Sequence, residues 1–70
     1  MQKELLRYVG REVYLMYMDR NHRITKRRIR IRSVDGPKLS AYCYERLAPR
    51  VFDVSRVLAV FPVHLSTVQA

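Results

Sequence analysis

Seventy residues, 49% of them hydrophobic, with a formal charge of +8 describe one small domain that can bury only about 60% of its extended surface. The composition excludes a disordered chain, no apolar run reaches the roughly 18 residues of a membrane-spanning helix, and a single cysteine, Cys43, excludes both an intrachain disulfide and a cysteine-based zinc site. Eleven Arg and three Lys against six acids draw anions, and guanidinium groups pair bidentately with phosphate and stack on flat rings, so nucleic acid, nucleotides or an acidic protein are the favoured partners.

The opening Met1-Gln2-Lys3-Glu4 lacks the basic region and long apolar region of an export signal, so a cytoplasmic location is expected. From Gln2 to Val9, Leu5, Leu6 and Val9 recur at helical spacing and Gly10 stands ready to end the turn. So short a helix is marginal alone and is expected to dock its Leu5 and Val9 side on the rest of the chain.

Glu12 to Met18 alternates as a strand, with Val13, Leu15 and Tyr17 on one face and Tyr14, Met16 and Met18 on the other. Both faces are apolar, which predicts that the helix or a second copy of the chain covers the outer one. Asp19 to His22 holds the turn formers of a hairpin. The next strand, Arg23 to Val34, is strongly basic: seven of the fourteen cationic side chains lie between Arg20 and Arg32. Strand periodicity places Arg28, Arg30 and Arg32 on a solvent-facing basic surface and Ile29 and Ile31 in the core. Arg27 shares the parity of the two isoleucines, and a guanidinium on an apolar face needs a partner.

After the break at Asp35-Gly36-Pro37, Lys38 to Tyr44 forms a third strand with Leu39, Ala41 and Cys43 opposite Ser40, Tyr42 and Tyr44. Glu45 to Pro49 interrupts the period, Val51 to Val54 forms a fourth strand, and Val57 to Phe61 a fifth that Pro62 ends. The tail, residues 62–70, is weakly patterned and is expected to fray or to swap onto a partner. Five short strands after one helix, a mainly β chain, favour a small curled barrel over a flat sheet, because closure hides the edges.

From Ala41 the chain runs Ala-Tyr-Cys-Tyr-Glu-Arg-Leu-Ala-Pro-Arg-Val-Phe-Asp-Val-Ser-Arg-Val, after an upstream Thr25-x-Arg27-x-Ile29-x-Ile31 and Tyr17. Over roughly residues 12–60 these positions resemble the WYL domain, a bacterial module with an SH3-like (Sm-like) barrel. The name-giving triplet falls on Pro37-Lys38-Leu39 and keeps only the leucine. The resemblance implies ligand sensing in transcription regulation or phage defence rather than catalysis, with a basic pocket for nucleic acid or a nucleotide. Carried over by position, that pocket uses Arg27, Arg46, Arg50 and Arg56, with Tyr17, Tyr42 and Phe52 as walls. WYL domains usually accompany a helix-turn-helix, for which this chain has no room, so it is expected to be a stand-alone or shortened relative.

The residues support part of this on their own. Arg46 and Arg50 flank Pro49 in what reads as a connection able to aim two guanidinium groups at one anion. Tyr17, Tyr42 and Phe52 offer faces on which a base can stack, although Tyr42 and Phe52 also suit plain core and Arg46 and Arg50 also suit surface pairing with Glu45 or Asp53. Catalysis has little support: the acids are scattered, His22 and His64 lack neighbouring ligands, two glycines cannot build a phosphate loop, and Cys43 has no evident base. No catalytic residue, metal site or cofactor is expected. The partner is expected to be single-stranded nucleic acid or a nucleotide, with no membrane and with a homodimer in view. The competing reading is a protein-interaction or oligomerisation module, built on Tyr14, Met16 and Met18, whose basic surface is merely solvated.

Overall fold

The computed structural model describes residues 1–63. A helix, α1 (Gln2–Arg7), is followed by strands β1 (Glu12–Met18), β2 (Ile24–Asp35), β3 (Lys38–Cys43) and β4 (Ala48–Asp53), a 3₁₀ turn (Val54–Arg56) and β5 (Val57–Pro62). All neighbours are antiparallel, in the order β4-β3-β2-β1-β5. This is the mainly β, five-stranded SH3-like barrel with one preceding helix that the sequence leads one to expect.

Curvature is visible in what meets across the interior. Strands β1 and β4 are three places apart in the sheet, a separation of about 14 Å if the sheet were flat. Instead the Tyr17 and Phe52 rings meet edge-on with centroids 5.1 Å apart, and the Asp53 amide donates to the Tyr17 hydroxyl at 3.1 Å. The bend is made on β2, which pairs with β1 through Arg30 and with β3 from Ile29 onward. A register shift between Ile31 and Ser33 leaves Arg32 as an extra residue there, the device by which a strand turns a corner. Arg32 is exposed, like Arg28 and Arg30, and the alternation breaks at the next residue, Ser33, which is exposed as well.

The inner face follows the sequence pattern closely. Val13, Leu15, Ile29, Ile31, Leu39, Ala41 and Cys43 are fully buried, with Phe52 and Val57 nearly so. Cys43 is a free thiol within this cluster. Leu5 of α1 joins the same core, so the helix closes one end of the barrel rather than covering the outer face of β1. Its other expected anchor is different: Val9 is 42% exposed, and Tyr8 packs on the core in its place. The reason is length. The helix ends at Arg7, and Gly10, at a φ of 84°, turns the chain into the ladder, where its amide donates to the Ile31 carbonyl at 2.7 Å.

Strand β4 begins at Ala48, three residues before the expected start, and therefore contains Pro49. As one end of the strand order, β4 tolerates a residue without an N–H. Arg50 thus belongs to a strand, with Arg50 and Phe52 on one face.

Candidate anion-binding cleft

At one end of the barrel, the β1–β2 turn, the inner ends of β2 and β4 and the 3₁₀ turn surround a cleft of about 410 Å³. Its floor is Tyr17 and Phe52, and four arginines surround it: Arg20, Arg27, Arg50 and Arg56. Asp19 and Asp53 are the acids on its wall.

Arg27 sits opposite Leu15, two residues before the buried Ile29, so the parity of β2 carries its side chain inward. Its side chain is 18% exposed, and its Nη1 lies 3.6 Å from a carboxylate oxygen of Glu45. Arg50 places its guanidinium 5.5 Å from the Phe52 ring centroid. Among the described residues, two buried side-chain polar atoms lack a hydrogen-bond partner: Arg27 Nε and Arg50 Nη1. Leaving a buried donor on a charged group unpaired costs more than about 1–3 kcal/mol, and both side chains line the same cleft.

The acids are already engaged. Asp53 accepts from Lys38 Nζ at 2.7 Å and has Arg56 Nε at 3.6 Å; the Lys38 hydrogen bond and charge, with Arg56 behind them, hold its carboxyl below the ordinary range. Asp19 accepts the backbone amides of Arg23 and Asn21 at 2.9 and 2.8 Å, which lowers it likewise. With folded-state pKa values below the unfolded ones, these carboxylates contribute stability above their ordinary value near 3.8 that is lost as pH falls through the lowered values. Thermal unfolding of Asp53→Asn followed from pH 5 to pH 3 should therefore show a shallower loss of melting temperature than the parent.

Of the residues expected to form a pocket, Tyr17, Arg27, Arg50, Phe52 and Arg56 are brought together. Tyr42 and Arg46 are not among the cleft residues. Tyr42 follows the outward parity of its strand between the buried Ala41 and Cys43, and packs edge-on against Tyr44 at 5.3 Å. Arg46 is exposed in the turn that joins β3 to β4, not in a connection shared with Arg50. Arg20 and Asn21 are cleft residues that sequence reasoning passed over. Their signal was the hairpin itself, because a tight turn after Met18 returns next to the end of the strand that carries Tyr17. His22 is exposed in this turn at a φ of 63°, while Pro62, expected in the tail, closes β5, and residues 64–70 of the tail, His64 among them, lie outside the described residues.

The basic surface also differs from a diffuse one. Arg28 forms an ion pair with Glu12, and Arg30 donates to Tyr44 Oη at 3.2 Å and to the Gly10 carbonyl at 2.9 Å. Tyr14, Met16 and Met18 on the outer face of β1 are half-buried, with Lys26 Nζ 4.4 Å from the Tyr14 ring centroid. Lys26 of the neighbouring strand thus covers part of this face, and the helix, docked at the end of the barrel through Leu5, does not.

No family model and no curated protein matches this sequence. Among solved structures, the chain is similar to proteasome accessory factor B/C (PafBC) of Arthrobacter aurescens, with a TM-score of 0.73 and 24% sequence identity. The match covers 87% of this chain but 11% of that one. The likeness is one of fold. PafBC is thus a much longer protein containing a region built like this barrel, and no helix among the described residues is long and apolar enough to cross a membrane.

Proposed function

We propose that the chain is a non-catalytic binding module that takes single-stranded nucleic acid or a nucleotide into the cleft, in a regulatory, sensing role. The observation that carries this is the pair of unpaired, buried guanidinium donors, Arg27 Nε and Arg50 Nη1, at the same cleft. A phosphate supplies the two or more acceptor oxygens those donors need, in charge-assisted bonds that are the strongest of their kind. Tyr17, half-buried at the cleft, lies where a base would contact it, and the buried Phe52 supports it edge-on from below. The WYL resemblance points to the same residues, less Tyr42 and Arg46, and the barrel shared with part of PafBC supports it at the level of fold.

Binding of a short single strand should weaken with salt. Neutralising three or four phosphates implies a log–log slope of about −2 to −3, measured by titrating a fluorescent oligonucleotide at several salt concentrations. The second reading, a protein-interaction module, draws on Leu58 and Phe61, which are 45% and 47% exposed on β5 at one end of the strand order. No binding of the oligonucleotide, or a salt-independent interaction, would reject the nucleic-acid reading in favour of this one.

A further inference from the structure

The opposite side of the sheet carries a pattern that the cleft does not use. Phe61 of β5 pairs with Tyr14 of β1, Tyr14 pairs with Arg28 of β2, and the Tyr44 amide donates to the Arg28 carbonyl at 3.1 Å. These four side chains therefore form one line across the sheet, about 14 Å long at ordinary strand spacing. Arg30 and Tyr42 face each other in the next row, and Lys26 lies two residues before Arg28. The cations of β2 thus form a row of their own, with a step of roughly 6.6 Å, bordered by rings on both sides.

The rings are held in position by their charged neighbours. Lys26 Nζ lies 4.4 Å from the Tyr14 centroid, the Arg28 guanidinium 5.6 Å from that of Tyr44, and Tyr42 and Tyr44 are 5.3 Å apart. The three tyrosines are half-buried and Phe61 is 47% exposed, so their outward surfaces are available while their orientations are restrained. Arg28 and Arg30 are 47% and 51% exposed, and Glu12 is the acid they share. With five donors on each guanidinium, both retain donors beyond those given to Glu12, Tyr44 and Gly10.

We propose that this outer face is a second binding surface, for single-stranded nucleic acid, on which the phosphates follow the Lys26–Arg28–Arg30 row and bases stack on Tyr44, Tyr14 and Phe61. It extends the nucleic-acid reading of the cleft but shares no residue with it. Charge selects the occupant. A second copy of the chain would bring the same cations against each other, whereas a polyanion neutralises them. Rings alternating with cations suit a ligand that itself alternates bases with phosphates, the combination found where single strands bind without sequence preference.

The test compares oligodeoxythymidylate of about 15 nucleotides, within the span of a small barrel, with an abasic strand of equal length and charge and with poly-glutamate. The chain has five tyrosines and no tryptophan, so tyrosine emission reports stacking directly. Oligodeoxythymidylate should bind at least about tenfold more tightly than the abasic strand and quench the emission. Tyr44→Ala and Phe61→Ala should each weaken it about five- to tenfold. The double variant Tyr14→Phe, Tyr44→Phe keeps both rings and should keep the affinity while losing most of the quenching. Arg27→Ala, which alters only the cleft, should leave the preference for bases over abasic strand in place even if it abolishes nucleotide binding, so the two sites fail separately. Equal affinity for intact and abasic strands, or for poly-glutamate, overturns the proposal, and so does loss of strand binding in Arg27→Ala with none in Tyr44→Ala. Should Tyr44→Ala not fold, Phe61→Ala, at a position 47% exposed, decides in its place, and unchanged strand binding and quenching in that variant overturns the proposal.

Discussion

Phe52→Ala should destabilise the domain by about 3–5 kcal/mol, the range for truncating a buried aromatic ring. Phe52 is 2% exposed, meets Tyr17 across the barrel interior at 5.1 Å and lies beneath the Arg50 guanidinium. A domain of this length has a total stability of roughly 4–10 kcal/mol, so the variant stands near the threshold of folding at room temperature. Urea denaturation measures this directly, and a loss below about 1 kcal/mol would show that the ring is a wall of the cleft without being part of the core. Phe52→Leu keeps most of the apolar volume and should recover much of the stability while losing the flat face under the cleft. That variant separates the volume of the residue from the flat support its ring gives Arg50 and Tyr17.

Arginines of β2 on opposite faces should behave differently toward a small ligand. Arg27→Ala should weaken binding of a nucleotide by about 1.5–3 kcal/mol, the scale of hydrogen bonds to charged groups, because its guanidinium is largely withdrawn from water with a donor unpaired. Arg30→Ala should cost well under about 1 kcal/mol and mainly flatten the salt dependence, since Arg30 is half-exposed and committed to Tyr44 and Gly10 on the outer face. A titration of nucleotides against both variants at two salt concentrations, with folding verified by far-UV spectra, reads the difference. Equal losses would mean that the cleft is not a site and that the basic surface acts only through its overall charge.

Period-two patterning made the barrel legible. The bounds of β1 coincide with its alternating segment, and the buried residues of β2 and β3 are those their parity selects. Arg27 was legible for the same reason, since an arginine in phase with Ile29 and Ile31 must face inward. Where the pattern was overridden, a specific local cause exists. Pro49 reads as a break, yet an edge strand needs no donor on its free side, and β4 runs through it and carries Arg50 inward. Tyr42 was expected in the pocket or in the core, yet its parity opposite Leu39, Ala41 and Cys43 sends it outward, because Ala41 and Cys43 take the core on either side of it. Arg32 is exposed as its parity predicts, and it is at Ser33, just past a bulge invisible to alternation alone, that the burial pattern slips. The hairpin after Met18 places Arg20 beside Tyr17, but that this turn also meets Arg50 and Phe52 of β4 depends on closure of the sheet, which no local window contains.

The hydrogen bond from the Asp53 amide to the Tyr17 hydroxyl joins residues 36 apart in sequence. Such a contact requires closure of a long loop, and contacts of this kind are formed late and slowly because the entropy of closure precedes any reward. Both walls of the cleft, Tyr17 and Phe52, therefore acquire their relative positions only when the barrel shuts. A chain with its hairpins formed but its barrel open has the arginines and no site. A ligand of the cleft consequently recognises the shut barrel alone, and at a concentration of about 100 times its dissociation constant it would add about 2.7 kcal/mol to the free energy of unfolding, acting as a clasp on the step that completes the fold.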